Sequence, residues 1–171
     1  LSRRLFDLSL YNTSVASRPK QAADAATIRQ ATRADLLAIY RIEKQVFDQP
    51  WPYSAFELLV AVAGDSIIGY IVADTTPNAG RDIGHVKDLA VHPEAQSNGV
   101  GRQLLRRAVT GLTVDGAARI KLEVREHNTR ARSLYRQEGF EPTQRIPRYY
   151  DDGEAALILV KQTIEFETTG V

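Results

Sequence analysis

Glu123, Tyr135, Asn128 and the turn Gln96-Ser97-Asn98-Gly99-Val100-Gly101 carry most of the reactive chemistry open to this chain. The turn follows an apolar run, Leu89-Ala90-Val91, and the bend His92-Pro93-Glu94, and it opens into an amphipathic pattern, Leu104, Leu105, Ala108, Val109 and Leu112. That reads as strand, glycine turn, helix N-terminus. Glycines let the backbone approach a ligand, and the free N–H groups and positive dipole end of a helix favour an anion such as a phosphate. An ordinary turn uses the same residues, so two glycines alone leave the matter open. Glu123 lies on the charged face of an alternating stretch. It is either an exposed strand residue paired with Lys121 or Arg125, or a partly buried general base beside an incoming amine. Tyr135 sits beside Leu134 at core-like helical spacing: a packed ring with a wet hydroxyl, or a phenol acting as acid toward a leaving group. Asn128 at a helix start has the ordinary reading of an N-cap.

Several chemistries are excluded. A dinucleotide site wants a third glycine where Gly99-Val100-Gly101-Arg102-Gln103-Leu104 has leucine, and a P-loop wants a Lys that does not follow. The chain has no cysteine, so thiol nucleophiles, disulfides and thiolate metal sites are absent. His85, His92 and His127 are too scattered for a ligand set and read as loop or surface residues; there is no serine-elbow or zinc-helix motif. Arg102, Arg106 and Arg107 lie where a helix can turn charge toward a phosphate, although a solvated face is the blander reading for two of them.

These residues need elements to hold them. Thr27-Ile28-Arg29-Gln30 reads as a short strand. Thr32 caps a helix running through Leu36, Leu37, Ile39, Tyr40, Ile42 and Val46, with Asp35 in the capping-box place. Asp48-Gln49-Pro50-Trp51-Pro52 breaks it as a fixed loop. After a short helix start at Ser54-Ala55-Phe56-Glu57, Leu58 to Ala63 and Ile67 to Thr76 make a hairpin around Gly64-Asp65-Ser66. Ile83 to Val91 is the strand that leads into the glycine turn. The helix from Gly101 ends near Val114, stopped by Asp115-Gly116. Ala118 to Arg125 is a strand with Ile120, Leu122 and Val124 inward and Arg119, Lys121, Glu123 and Arg125 on the charged face. A helix from His127-Asn128 through Ala131, Leu134 and Tyr135 closes at Gly139. Phe140 to Arg145 and Ala156 to Gln162 are the last strands, joined by Pro147-Arg148-Tyr149-Tyr150 and Asp151-Asp152-Gly153. The order gives an α+β sandwich around a mixed sheet.

Bulk properties agree with one globular domain. The chain has 171 residues, 43% hydrophobic and 25% charged, with 22 Lys plus Arg against 21 Asp plus Glu. A formal net charge of +1 argues against a nucleic-acid-coating surface. No apolar run approaches the ~18 residues of a membrane span. Residues 1–24 read as a flexible N-terminal leader: Arg3, Arg4, Arg18 and Lys20 face one acid, Asp7, among several serines. A transit peptide is the sharper alternative. Residues 25–163 form the domain, and 164–171 a C-terminal tail.

From Thr27 to Gln162 the chain resembles the GNAT N-acetyltransferases. The motifs stand in register: Leu89-Ala90-Val91-His92-Pro93 with Gln96 to Gly101, then Leu122-Glu123-Val124-Arg125, Asn128, Ala131, Leu134-Tyr135 and Glu138-Gly139-Phe140. With Ile42-Glu43, Pro50-Trp51, Tyr149-Tyr150 and Asp152-Gly153-Glu154-Ala155-Ala156 it is similar to the RimI-type branch, the ribosomal-protein alanine N-acetyltransferases and their archaeal N-terminal acetyltransferase relatives. The resemblance implies a sheet of about six to seven strands flanked by about four helices, with acetyl-CoA in a cleft between splayed central strands. It implies that Leu89, Ala90 and Val91 meet the pantetheine arm, that Gln96, Ser97, Asn98, Gly99, Val100, Gly101 and Arg102 hold the pyrophosphate, and that Asn128 lies near the thioester. Glu123 is then the general base and Tyr135 the general acid, with Trp51, Tyr149 and Tyr150 flanking the acceptor. The implied acceptor is a protein or peptide N-terminus, a ribosomal protein among the candidates, in the cytoplasm, with no metal, nucleic acid or membrane involved. Two departures stand out. Only Tyr53 to Glu57 remains between the Pro-Trp loop and the next strand, where RimI-like chains carry a longer helix, so a small-molecule amine or a protein Lys is the alternative acceptor. Ser97 and Asn98 replace basic residues beside the first glycine, so phosphate binding leans on backbone donors and Arg102. A non-catalytic acyl-CoA-binding module is a third reading, opposed by the retention of Glu123 and Tyr135.

Overall fold

The computed structural model describes residues 26–32, 34–36, 38–39, 57–79 and 81–163. The leader, most of the first helix, the Trp51 loop, Ser54 to Phe56 of the expected short helix start and the C-terminal tail lie outside the described residues, while Glu57, expected to end that helix start, instead opens the next strand.

Seven strands form one sheet: β1 (Thr27–Gln30), β2 (Glu57–Ala63), β3 (Ser66–Thr76), β4 (Asp82–Val91), β5 (Ala117–Arg125), β6 (Glu141–Ile146) and β7 (Ala156–Gln162). Besides the described part of the first helix (residues 36 and 38–39), two α-helices lie among the described residues and are labelled α1 (Val100–Val114) and α2 (Thr129–Gln137). The spatial order is β1-β2-β3-β4-β5-β7-β6. Every neighbouring pair is antiparallel except β4 and β5. A parallel pair needs a crossover, and α1 supplies it.

The hairpin turn between β2 and β3 is Gly64-Asp65, and Gly64 has φ +58°, a backbone that glycine adopts without strain. In β3 the run Gly69 to Ala73 is buried throughout, because the strand is covered on both faces. On one face α1 lays Val100, Leu104, Leu105, Ala108 and Leu112 against Leu59, Ile71, Val86, Leu89, Ile120 and Leu122. On the other, Ile39 packs with Val60, Tyr70, Val72 and Ala90. Each buried Leu of that helical stripe contributes about 1.5–3 kcal/mol of transfer free energy. α1 approaches β4 closely at Gly84, where a Cβ would meet both Ile120 Cγ1 and Leu112 Cδ1 at 3.0 Å.

The Thr32 to Asp35 capping box forms with its polarity altered. The Thr32 N–H donates to Asp35 Oδ2 at 2.6 Å, as the box requires, but the Thr32 hydroxyl also donates to that oxygen, at 2.8 Å. The Asp35 N–H turns to the Thr32 carbonyl instead. Arg29 completes the group with a fork to both carboxylate oxygens, 2.6 and 2.9 Å. Arg29 first, then the Thr32 N–H, hold the Asp35 carboxyl far below the usual carboxylate range.

Two irregularities create the site. Pairing of β3 with β4 jumps from Val72–Asp88 to Ala73–Val86, so Lys87 is an extra residue in a β-bulge. β4 and β5 pair only from Asp82 to His85 against Ala117 to Lys121. Beyond His85 the two strands part, leaving a cleft at the centre of the sheet.

Candidate active site

The cleft is lined by Val86, Lys87, Asp88 and Leu89 of β4, by Leu122, Glu123 and Val124 of β5, and by Asn128, Ala131 and Tyr135 at α2. A second cavity of about 280 Å³ adjoins it, lined by Leu89, Val91, Gln96, Ser97, Gly99, Val100, Gly101, Arg102, Arg130, Ala131, Leu134 and Tyr135. Leu89, Ala131 and Tyr135 line both.

The larger cavity is built by the glycine turn. Gly99 is the N-cap of α1 in a left-handed conformation, φ +81°, and offers no side-chain cap. No acidic residue lies in the first turn of the helix. Its first backbone N–H groups are therefore left for a ligand, the arrangement that takes an anion. Gly101 serves differently: a Cβ there would reach Val91 and Leu134 at 3.6 and 3.7 Å, inside the cavity wall. An extended, phosphate-bearing molecule fits this donor set and this gap. Gln96 holds the wall, its amide donating to the Val91 carbonyl at 3.0 Å, so that one backbone acceptor expected to face the pantetheine arm is already engaged. Ala90 turns its side chain to the opposite face of the sheet, and neither it nor Asn98 lines the cavity. Arg102 lines it, but forms an ion pair with Glu138 at 3.0 Å and a hydrogen bond to Gln137. Arg106 takes the same Glu138 through a fork, and Arg107 is exposed.

Glu123 is not the exposed, Lys- or Arg-paired residue that strand alternation also allowed. It is 6% exposed, and its Oε2 lies 2.7 Å from His85 Nε2. With the carboxylate ionised, Nε2 carries the proton and donates. Lys121 is more distant, 3.8 Å from Oε1, and Arg125 is committed elsewhere. His85 corrects the sequence reading of the histidines. It is a half-buried residue of β4 facing β5, whereas His92 and His127 are exposed. The signal that could have found it is register: in a parallel β4–β5 pair His85 opposes Lys121, two residues before Glu123.

Tyr135 is buried, edge-on to Phe140 at 6.1 Å between ring centroids. Burial first, and the Asp88 charge second, push its phenol well above the usual tyrosine range, so it stays protonated. Asn128 is the N-cap of α2, its side-chain oxygen accepting from the Ala131 N–H at 3.0 Å, while the residue also lines the cleft.

The β6–β7 connection folds over the same end of the sheet. The Tyr149 and Tyr150 N–H groups both donate to the Glu154 carbonyl, at 2.9 and 3.1 Å. Arg125 lies 4.0 Å above the Tyr150 ring and pairs with Asp152 and Glu154, each at 2.7 Å. The Tyr150 hydroxyl is buried and has no hydrogen-bond partner among the described residues. Burial raises its pKa, with Arg125 opposing and the charges of Glu123 and Glu154 adding to the rise. Trp51 lies outside the described residues.

The sheet order, the split after His85 and the uncapped helix behind the glycine turn define a GNAT fold. The sequence profile of the acetyltransferase (GNAT) family matches residues 25–140, and the chain belongs to that family. The N-alpha-acetyltransferase RimI of Mycobacterium tuberculosis is 32% identical over 138 residues, covering 74% of this chain and 85% of the relative. An N-alpha-acetyltransferase of Saccharolobus solfataricus is 29% identical over 154 residues, covering 79% and 92%. The crystal structure of the ribosomal-protein-S18-alanine N-acetyltransferase from Escherichia coli matches with a TM-score of 0.69 at 26% identity, covering 85% of this chain and 99% of that one. The RimI-type and archaeal similarity expected from the motifs is thus found.

Proposed function

We propose that this chain transfers the acetyl group of acetyl-CoA to the α-amine of a protein N-terminus, a ribosomal protein among the acceptors. The observation that carries the reading is Glu123, buried at the open end of the β4–β5 split with His85 at 2.7 Å, across a cleft that Tyr135 shares with the anion-binding cavity. Acetyl-CoA supplies an activated thioester. The uncapped N–H groups of α1 and the glycine turn suit its diphosphate, and Leu89, Val91, Ala131 and Leu134 suit the pantetheine arm. Asn128 stands at the junction toward Glu123.

An α-amine has an ordinary pKa of about 7.7–8.0, so roughly a tenth or more is neutral near pH 7 and a modest base suffices. Glu123, held by His85, takes the amine proton directly or through water as the new C–N bond forms. A backbone N–H from the Leu89 to Val91 segment polarises the carbonyl. Tyr135, neutral in its buried setting, gives its proton to the sulfur as the C–S bond breaks. The unpartnered Tyr150 hydroxyl, with Tyr149 beside it, flanks the acceptor backbone. Trp51 is proposed, from its motif, to flank the acceptor as well.

The test is incubation of the purified protein with acetyl-CoA and a panel of N-terminal peptides, scored by mass. Addition of 42 Da to at least one peptide is expected, ~42 Da being the mass of one acetyl replacing one hydrogen at the attacked nitrogen. Acetylation of free small amines with no peptide modified would overturn the acceptor assignment.

A further inference from the structure

Arg130 stands out among the side chains around the glycine turn. It lies in the first turn of α2 and lines the larger cavity. Its guanidinium reaches across to the turn, donating to Gln96 Oε1 at 2.9 Å and to Ser97 Oγ at 2.7 Å. Both acceptors are neutral. Arg130 has no carboxylate within ion-pair distance among the described residues, although the surrounding surface is rich in such pairs: Arg102 and Arg106 share Glu138, Arg145 takes Glu126, and Arg125 takes Asp152 and Glu154. Of the two cations that line the cavity, Arg102 faces a carboxylate, which it shares with Arg106, and Arg130 faces none among the described residues.

A guanidinium held by two neutral oxygens is poorly matched. Its planar fork suits a carboxylate or a phosphate, and charge-assisted bonds are roughly twice as strong as neutral ones. Ser97 has φ +65°, a left-handed backbone that a non-glycine residue seldom adopts, and its hydroxyl accepts from Arg130. The arginine therefore reaches from α2 to the glycine turn along the cavity wall, and it is exposed, so it can move without opening the core.

We infer that Arg130, rather than Arg102, is the side-chain cation that clamps the diphosphate of acetyl-CoA, exchanging its bonds to Gln96 and Ser97 for phosphate oxygens. The inference rests on acetyl-CoA being the donor. It divides the phosphate site between two elements: backbone donors of α1 and a guanidinium of α2. It also explains how the turn dispenses with basic residues at Ser97 and Asn98.

The experiment is calorimetric binding of acetyl-CoA and of 3′-dephospho-acetyl-CoA to the wild type, Arg130→Gln and Arg130→Lys, with thermal melting of each. Arg130→Gln keeps a donor for Gln96 or Ser97 but removes the charge. The expected result is about a tenfold or greater loss of affinity for both ligands in Arg130→Gln, since a charged hydrogen bond is lost in each case, with most of the affinity retained in Arg130→Lys. Loss confined to the ligand bearing the 3′-phosphate would move the contact to that phosphate and overturn the diphosphate assignment. Unchanged affinity in Arg130→Gln, or a loss in Arg130→Lys equal to that in Arg130→Gln, would mean that the arginine only braces the turn. Failure of the wild type to bind either ligand would remove the donor assignment itself and the inference with it.

Discussion

Glu123 is a carboxylate kept almost wholly out of water, and desolvating such a charge costs several kcal/mol unless it is paired. His85 supplies the pairing at 2.7 Å. Removing it as His85→Ala leaves Lys121, at 3.8 Å, as the nearest cation, so both stability and turnover should fall. A lowered melting temperature together with reduced kcat checks this. Glu123→Gln keeps the shape and removes the base. Its kcat should drop by about a hundredfold or more at pH 7, the usual contribution of a general base. The deficit should shrink as pH rises from 7 toward 9, because the acceptor α-amine then loses its proton to solvent unaided. A deficit that is constant across that range would contradict the assignment.

Tyr135 gives a second pH statement. Its phenol ionises at a higher pH in the folded state than in the unfolded one. The neutral form is thus favoured on folding, and no stability is lost below the unfolded value of about 10. Above it the unfolded chain sheds the proton first, so stability falls as pH rises. Tyr150 adds in the same direction. Denaturation midpoints measured between pH 8 and 11 should decline only above about 10, and Tyr135→Phe should weaken that decline while lowering kcat near neutrality. The residue types at these positions were legible in the sequence; the role of His85 was not. A histidine in an alternating strand reads as one more surface residue until its neighbour across the sheet is known, and that neighbour follows from a parallel register no local pattern encodes.

At the scale of elements, hydrophobic period located the strands to within a residue or two, and Gly99, Gly116 and Gly139 sit with positive φ where turns were expected. The strand parting was less visible. It depends on the bulge at Lys87 and on β5 staying paired with β7 as far as Arg125 after its pairing with β4 has ended at Lys121, both of them tertiary events. Gly84 tests how tightly α1 sets this geometry. A methyl there must push Ile120 and Leu112 from 3.0 Å contacts, so Gly84→Ala should destabilise the protein by about 1–3 kcal/mol, as overpacking commonly does. Urea denaturation measures it. At the entry of the first helix, Asp35→Asn keeps the size but removes the ion pair with Arg29 and weakens the hold on Thr32. Because the Asp35 carboxyl ionises more readily folded than unfolded, its contribution is present above about pH 4 and lost as pH falls below it. The wild type and Asp35→Asn should therefore differ in melting temperature near pH 7 and converge toward pH 2.

Over the whole molecule, the sheet is a single body divided at its centre. The cavity behind the glycine turn and the cleft that holds Glu123 adjoin there, with Leu89, Ala131 and Tyr135 lining both, and His85 of β4 reaches Glu123 of β5 where the two strands begin to part. No helix among the described residues is long and apolar enough to cross a membrane. The acetyltransferase class follows from this arrangement and from the family, while the choice of acceptor amine rests on the cleft. The most direct test uses one synthetic peptide with a free N-terminus and an internal lysine, incubated with the protein and acetyl-CoA and sequenced by tandem mass spectrometry. Acetyl on the α-nitrogen, with the lysine unmodified, is the predicted result; acetyl on the lysine with the N-terminus free would contradict it.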